Sequence, residues 1–156
     1  MKAIGFRVEP KAVHWAVVTE SDTAPILIGS GKFSAPKSYD EEPKALSWYR
    51  ERIRSEVQKH SPDASGVRFP ETFGRKGVTS SDQIRLRIEG VILESLNSCG
   101  VFVFGGAMKS ISATLGSKSA KSYVDQSELK GLRWDDYNKN CREAILVAVA
   151  AMEACK

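Results

Sequence analysis

Residues 2–33 read KAIGFRVEPKAVHWAVVTESDTAPILIGSGKF, and this stretch decides the fold. Lys2–Val8 is short and apolar enough for a strand. Lys11–Thr19 is rich in Val and aromatic side chains, which suit a pleated, half-buried surface. Glu9-Pro10 between them is a turn signal, and Ser21-Asp22-Thr23 supplies the next one. Pro25–Gly29 is a third strand, with Phe33 as its outer limit. Three strands with tight connections predict an antiparallel meander. GSGKF at Gly29–Phe33 is not a phosphate loop: the motif's first glycine would fall on Ile26 and its Ser/Thr on Phe33. A hairpin turn is expected there instead.

Outward from the meander, the pattern turns helical. Leu46, Tyr49, Ile53 and Val57 recur at helical spacing until Ser61-Pro62 stops the run. Gly66–Phe69 is a fourth short strand. Thr79, Ser80 and Ser81 are candidate N-caps for a helix over Asp82–Asn97. Its expected buried stripe is Ile84, Ile88, Val91 or Ile92, and Leu96. Gly100 ends it, and Val101–Phe104 is a fifth strand. Ala107–Leu115 is a short helix, followed by a polar loop or further helical turn over Gly116–Lys121. Asp135 or Asp136 is expected to cap a last helix reaching Met152 or beyond, apolar all round and so packed on most sides. The helices after strands three and four serve as crossovers to parallel neighbours. The expectation is one α/β domain over residues 1–156, a five-stranded mixed sheet flanked by helices.

Composition agrees with a globular chain: 156 residues, 42% apolar and 27% charged. The apolar stretches are shorter than a membrane span requires, and the first residues carry no leader pattern, so a cytoplasmic setting is expected. Cys99, Cys141 and Cys155 lack metal or disulfide spacing; Cys99 and Cys141 read as small core residues. The formal charge is +4. Residues 66–121 hold Arg68, Arg75, Lys76, Arg85, Arg87, Lys109, Lys118 and Lys121 against four acidic groups, so the excess sits in the middle third. A face built from that third could attract phosphate; the plain alternative is a solvated surface.

The order of elements is that of the ribonuclease-H-like fold, and several segments resemble RuvC-type Holliday-junction resolvases. IGFRVEPKAVHWAVV (4–18) is similar to that family's opening hairpin, GVRFPETF (66–73) to its fourth strand, and IRLRIEGVILESL (84–96) to its long helix. MKSISATLGSKSAKSYV (108–124) is similar to its lysine-rich segment and NCREAILVAVAAM (140–152) to its last helix. The resemblance implies two-metal phosphodiester hydrolysis, with carboxylates converging from strand one, strand four and the last helix. The matching positions depart from this. Arg7 stands at the strand-one aspartate, Pro70 at the strand-four glutamate with Glu71 next to it, and Asn140 and Glu143 at the last-helix pair.

An arginine at the bridging position repels divalent ions, so no cofactor is expected, and Mg²⁺ only if a nuclease persists. Glu71 and Glu143 with Glu9 or Glu89 could rebuild an acidic site; each also reads as an ordinary surface carboxylate. Alternatively Arg7 pairs with Glu71 or Glu143 in a salt-bridged, metal-free relic. His14 reads as a structural histidine within a strand, and His60 as a residue at a helix end that favours the dipole. Arg75 and Lys76 in the glycine loop, with Lys109, Lys118 and Lys121, could form a phosphate-contacting rim. The leading expectation is a non-catalytic, nucleic-acid-associated module, for DNA or RNA, within a larger bacterial or phage assembly. The alternatives are a divergent Mg²⁺-dependent nuclease and a protein-interaction or scaffold domain acting as a homo-oligomer or subunit.

Overall fold

The structure, a computed structural model, describes residues 1–71 and 77–156. The meander is present: β1 (Lys2–Glu9), β2 (Ala12–Thr19) and β3 (Ile26–Phe33) pair antiparallel. Helix α1 (Glu42–His60) crosses over to β4 (Ala64–Arg68), and α2 (Ser80–Ser98) to β5 (Phe102–Gly106). Both return strands are parallel to their neighbours, giving one sheet in the order β3-β2-β1-β4-β5. Two short helices follow, α3 (Met108–Thr114) and α4 (Ala120–Asp125). A two-stranded hairpin, β6 (Glu128–Leu129) and β7 (Leu132–Arg133), precedes α5 (Lys139–Ala154).

Local chemistry explains the helix boundaries. Pro43 opens α1, where its missing N–H costs nothing, and Ser61 ends it in the left-handed region at φ 46°. Thr79 caps α2: its hydroxyl accepts from the Asp82 amide, while Asp82 accepts from the Thr79 amide. Those hydrogen bonds hold the Asp82 carboxyl below its ordinary pKa. The sheet buries both faces. α1 and α2 cover Ile4, Phe6, Val8 and Val67, and α3, α4 and α5 cover Ala3, Ala16, Val18 and Ala64. Alternation along each strand sends successive side chains to these two cores.

Two glycines set how α5 sits. A Cβ at Gly5 would strike the carbonyl of Ala144, and one at Gly66 the carbonyl of Val147. The helix backbone therefore rests directly on the two central strands, which places its first turns over their C-terminal ends.

Several expectations are corrected. GSGKF is the second half of β3 and not a turn. Its glycine at 31 makes room for the Trp15 indole, whose Nε1 would lie 2.9 Å from an added Cβ. Ile84 is 40% exposed, because Ile88, Ile92 and Leu96 already span the width of α2 that meets the core. Asn138, not Asp135 or Asp136, caps α5 by accepting from the Cys141 amide at 3.0 Å. Cys99 caps the exposed end of α2 and is not a core residue, whereas Cys141 is buried. No helix among the described residues is long and apolar enough to cross a membrane.

Candidate functional site

Strand register builds the site. Across the sheet, Lys32 of β3 stands opposite His14 of β2, His14 opposite Arg7 of β1, and Arg7 opposite Arg68 of β4. Four basic-type side chains thus form a row on one face of the sheet, with Lys32 exposed, Arg7 partly buried, and His14 and Arg68 buried. Like charges directly opposite one another are unfavourable, so such a row needs anions.

Two carboxylates supply them. Glu143, in the first turns of α5, is 5% exposed and accepts from Arg7 Nε at 2.6 Å. The same oxygen, Glu143 Oε2, lies 3.3 Å from Arg68 Nε. Glu9, at the end of β1, meets His14 Nε2 at 2.7 Å. Burial pushes the Glu9 carboxyl up, but hydrogen bonds from His14 and Asn140 and the charges of His14 and Lys32 outweigh it and leave its pKa below ordinary. Glu9 therefore belongs to His14 and Asn140 and does not join the arginine cluster. Burial, opposed by the charge of Glu143, lowers the pKa of Arg68.

In the parallel register the residue beside Arg7 is Arg68, two residues before Pro70. Glu71 lies beyond the strand, mostly exposed, where its Oε1 accepts from the Met108 amide at 3.1 Å and approaches Arg68 Nη2 at 3.5 Å. Neither Glu89 nor Glu143 is a surface carboxylate. Glu89 is 3% exposed on α2, with its Oε1 3.7 Å from Arg85 Nε. Burial pushes its pKa from the ordinary 4.5 up to about 7, against the charges of Arg85, Arg7 and Arg68.

That shift has a sign. Between about pH 4.5 and 7 the unfolded chain ionises Glu89 while the folded chain keeps it protonated. The contribution to stability is complete below that window and lost as pH rises through it. Allowing for screening, the loss amounts to ~2 kcal/mol. Urea unfolding of the wild type is expected to show this decline between pH 4.5 and 7. Glu89→Gln is expected to remove that part of the pH dependence and to be the more stable protein at pH 8.

The remaining candidates are spread out. Lys109 on α3 lines a cleft of about 910 Å³ with Phe69, Leu86, Glu71 and Glu89. Lys118 and Lys121 are exposed, before and within α4. Arg75 and Lys76 lie outside the described residues. His60, last in α1, lies 3.4 Å from Glu56, and burial lowers its pKa. Cys141 is pushed up by burial despite a hydrogen bond with Ser30, which disfavours a nucleophilic thiolate.

No family model and no curated relative matches the chain. Solved structures do. RuvC of Thermus thermophilus in complex with a Holliday junction substrate is similar with a TM-score of 0.77 and 14% identity, over 98% of this chain and 94% of that one. The yeast mitochondrial Holliday junction resolvase follows with 0.63 and 12%, over 98% and 78%. The fowlpox virus Holliday junction resolvase gives 0.54 and 13%, over 99% of both chains. With the sheet order and both crossovers in agreement, the chain has the RuvC-like, ribonuclease-H-like fold, and it carries arginines at the ends of its two central strands.

Proposed function

We propose that this chain is a non-catalytic, nucleic-acid-binding RuvC-like module that works without a divalent cation. The observation that carries the reading is the pairing of Arg7 with Arg68 around a single buried carboxylate, Glu143. In the resembled family this place holds carboxylates and two metal ions. Here the residues do not fit such ions. The Glu143 oxygen that faces the strand ends, Oε2, is engaged by Arg7 and faced by Arg68. At ~4 Å and an effective dielectric near 20, each unit of cation–cation charge product costs about 4 kcal/mol, and a divalent ion doubles it. Among the described residues, no three His, Cys, Asp or Glu side chains converge to hold an ion.

Nucleic-acid binding is supported by the fold, by the known resolvases that share it, and by the basic excess of residues 66–121. The acidic and basic groups buried at the strand ends then serve as a fixed electrostatic floor, and exposed Lys109, Lys118 and Lys121 are the contacts expected to meet phosphates.

The test is fluorescence anisotropy with a four-way junction and a duplex of equal length, with and without Mg²⁺ or Mn²⁺. Binding is expected to weaken steeply with salt, to be unaffected by chelator, and to weaken further in the Lys118→Glu, Lys121→Glu double variant. No strand cleavage is expected. Metal-dependent cleavage lost in Glu143→Ala would overturn the non-catalytic reading. Absence of binding together with a stable dimer in solution would replace it with a scaffold role.

A further inference from the structure

The apolar stripe of α2 runs on past the core. Ile84 continues the row of Ile88, Ile92 and Leu96 by one turn toward the start of the helix, and there it stands exposed. Tyr39, in the segment between β3 and α1, is a second large side chain left exposed. Both line a cleft of about 790 Å³ bordered by the first turns of α1 and α2. Pro10 and Lys11, the turn between β1 and β2, form a further wall. Clefts of this size and apolar character are where proteins hold ligands or the side chains of a docked segment.

Polar groups converge on the same cleft. Tyr49 of α1 is 4% exposed, and its hydroxyl accepts from the Ala35 amide at 3.3 Å. The hydroxyl's own proton has no acceptor among the described residues, and Tyr49 and Ala35 both line the cleft. A buried O–H donor without an acceptor favours a ligand that brings one. Lys11 and Lys37 are exposed lining residues with no ion-pair partner among the described residues. Arg87 and Glu42 neutralise each other, with Arg87 Nη1 2.6 and 2.9 Å from the two carboxylate oxygens. Asp40 is the acidic lining residue left without a partner among the described residues, so the uncompensated charge of the cleft is positive.

We infer that this cleft docks an acidic peptide segment of a protein partner, which lays one large apolar side chain against Ile84 and Tyr39. A backbone carbonyl of the peptide accepts from the Tyr49 hydroxyl, and carboxylates flanking the anchor meet Lys11 and Lys37. Charge selects this occupant. A peptide places its carboxylates singly and keeps them away from Asp40 and Glu42, whereas a nucleic-acid strand repeats its charge at every phosphate. The lining argues the same way. It is rich in Pro, Ala and Ile and exposes a single aromatic ring, that of Tyr39, whereas successive bases seek successive aromatic faces. The inference goes beyond the nucleic-acid reading above and does not rest on it, since Lys109, Lys118 and Lys121 take no part in this cleft.

The experiment is methyl NMR of the Ile84 δ1 group, titrating the protein with synthetic peptide pools. The first pool carries Asp and Glu on either side of a central Phe, Trp or Leu. The second replaces those acids with Lys and Arg, and the third replaces the anchor with Ser. The first pool is expected to shift the Ile84 signal, and the other pools to leave it in place. Anisotropy of the labelled first pool is expected to report about tenfold weaker binding to Ile84→Ser and to the Lys11→Glu, Lys37→Glu double variant. All three positions are exposed, so the fold is kept. A silent Ile84 with the first pool, or an equal response to the basic or anchorless pool, overturns the inference. Unchanged affinity in both variants overturns it as well, since the peptide then binds elsewhere. An Ile84 shift with single-stranded oligothymidylate that the acidic pool fails to displace gives the cleft to nucleic acid and sinks the peptide.

Discussion

Gly5→Ala is expected to leave the protein unfolded or close to it. A methyl group at that position would run into the Ala144 carbonyl and lie 2.8 Å from the Ala148 amide nitrogen. Both are main-chain atoms of α5, so no side-chain rotation relieves the clash. The helix must lift. Lifting it uncovers Ala144, Ile145, Val147 and Ala148, all fully buried, and opens the gap to β1, β2 and β4 together. Overpacking in a core typically costs about 1–3 kcal/mol when side chains can adjust. Here backbone meets backbone, and the cost is expected to exceed ~4 kcal/mol, a large fraction of the whole stability of a domain. Far-ultraviolet circular dichroism with urea unfolding checks it. A folded Gly5→Ala protein with near-wild-type stability would mean that α5 does not rest on β1 as described.

Glu143→Gln is the second large effect, expected to cost ~3–5 kcal/mol. The exchange keeps shape and removes charge. Arg7 and Arg68 then face each other across adjacent strands, 17% and 8% exposed at their side chains, without the carboxylate between them. Most of the cost is the stranded pair and not the lost bond itself. Two further variants separate these contributions. Arg7→Leu alone is expected to cost less than Glu143→Gln, because Arg68 keeps the carboxylate. Adding Arg7→Leu to Glu143→Gln is expected to restore part of the stability, since it removes the repulsion. Urea denaturation of the full cycle measures the coupling. Simple additivity of the two single effects would show that the arginines do not share Glu143.

Much of the fold was legible in the sequence. The meander, the two crossovers and the buried last helix follow from strand chemistry, from Gly and Pro punctuation and from an apolar helix that must be covered. The small hairpin over residues 128–133 was not anticipated, although ELKGLRW carries its signal. Lys130 and Gly131 both take positive φ, the two-residue turn that Lys-Gly between leucines permits. Two-residue strands carry too little alternation to stand out; Trp134 and Arg142 fix them from outside. Trp134 donates to the Gln126 carbonyl at 2.8 Å, and Arg142 donates to the carbonyls of Val124, Gln126, Asp135 and Tyr137.

The site was only half legible. Arg7 announced itself by standing where the resemblance calls for an acid. Arg68 did not, because motif spacing pointed downstream to Pro70 and Glu71, whereas parallel register puts Arg68 beside Arg7. Register between distant strands is a tertiary property that local spacing does not encode. The burial of Glu89 and Glu143 was hidden for a related reason. A charged residue on an amphipathic helix reads as solvated unless its neighbours across space are known, and here those neighbours are guanidiniums.

The shared carboxylate also limits how this site can change over generations. Exchanging position 7 alone, as in Arg7→Asp, would trap the Arg68 guanidinium between two acids in a closed ionic triad. Exchanging position 68 alone would leave Arg7 bound to its present partner. Building a two-ion centre here therefore takes paired exchanges, because each single one leaves a guanidinium facing the carboxylate.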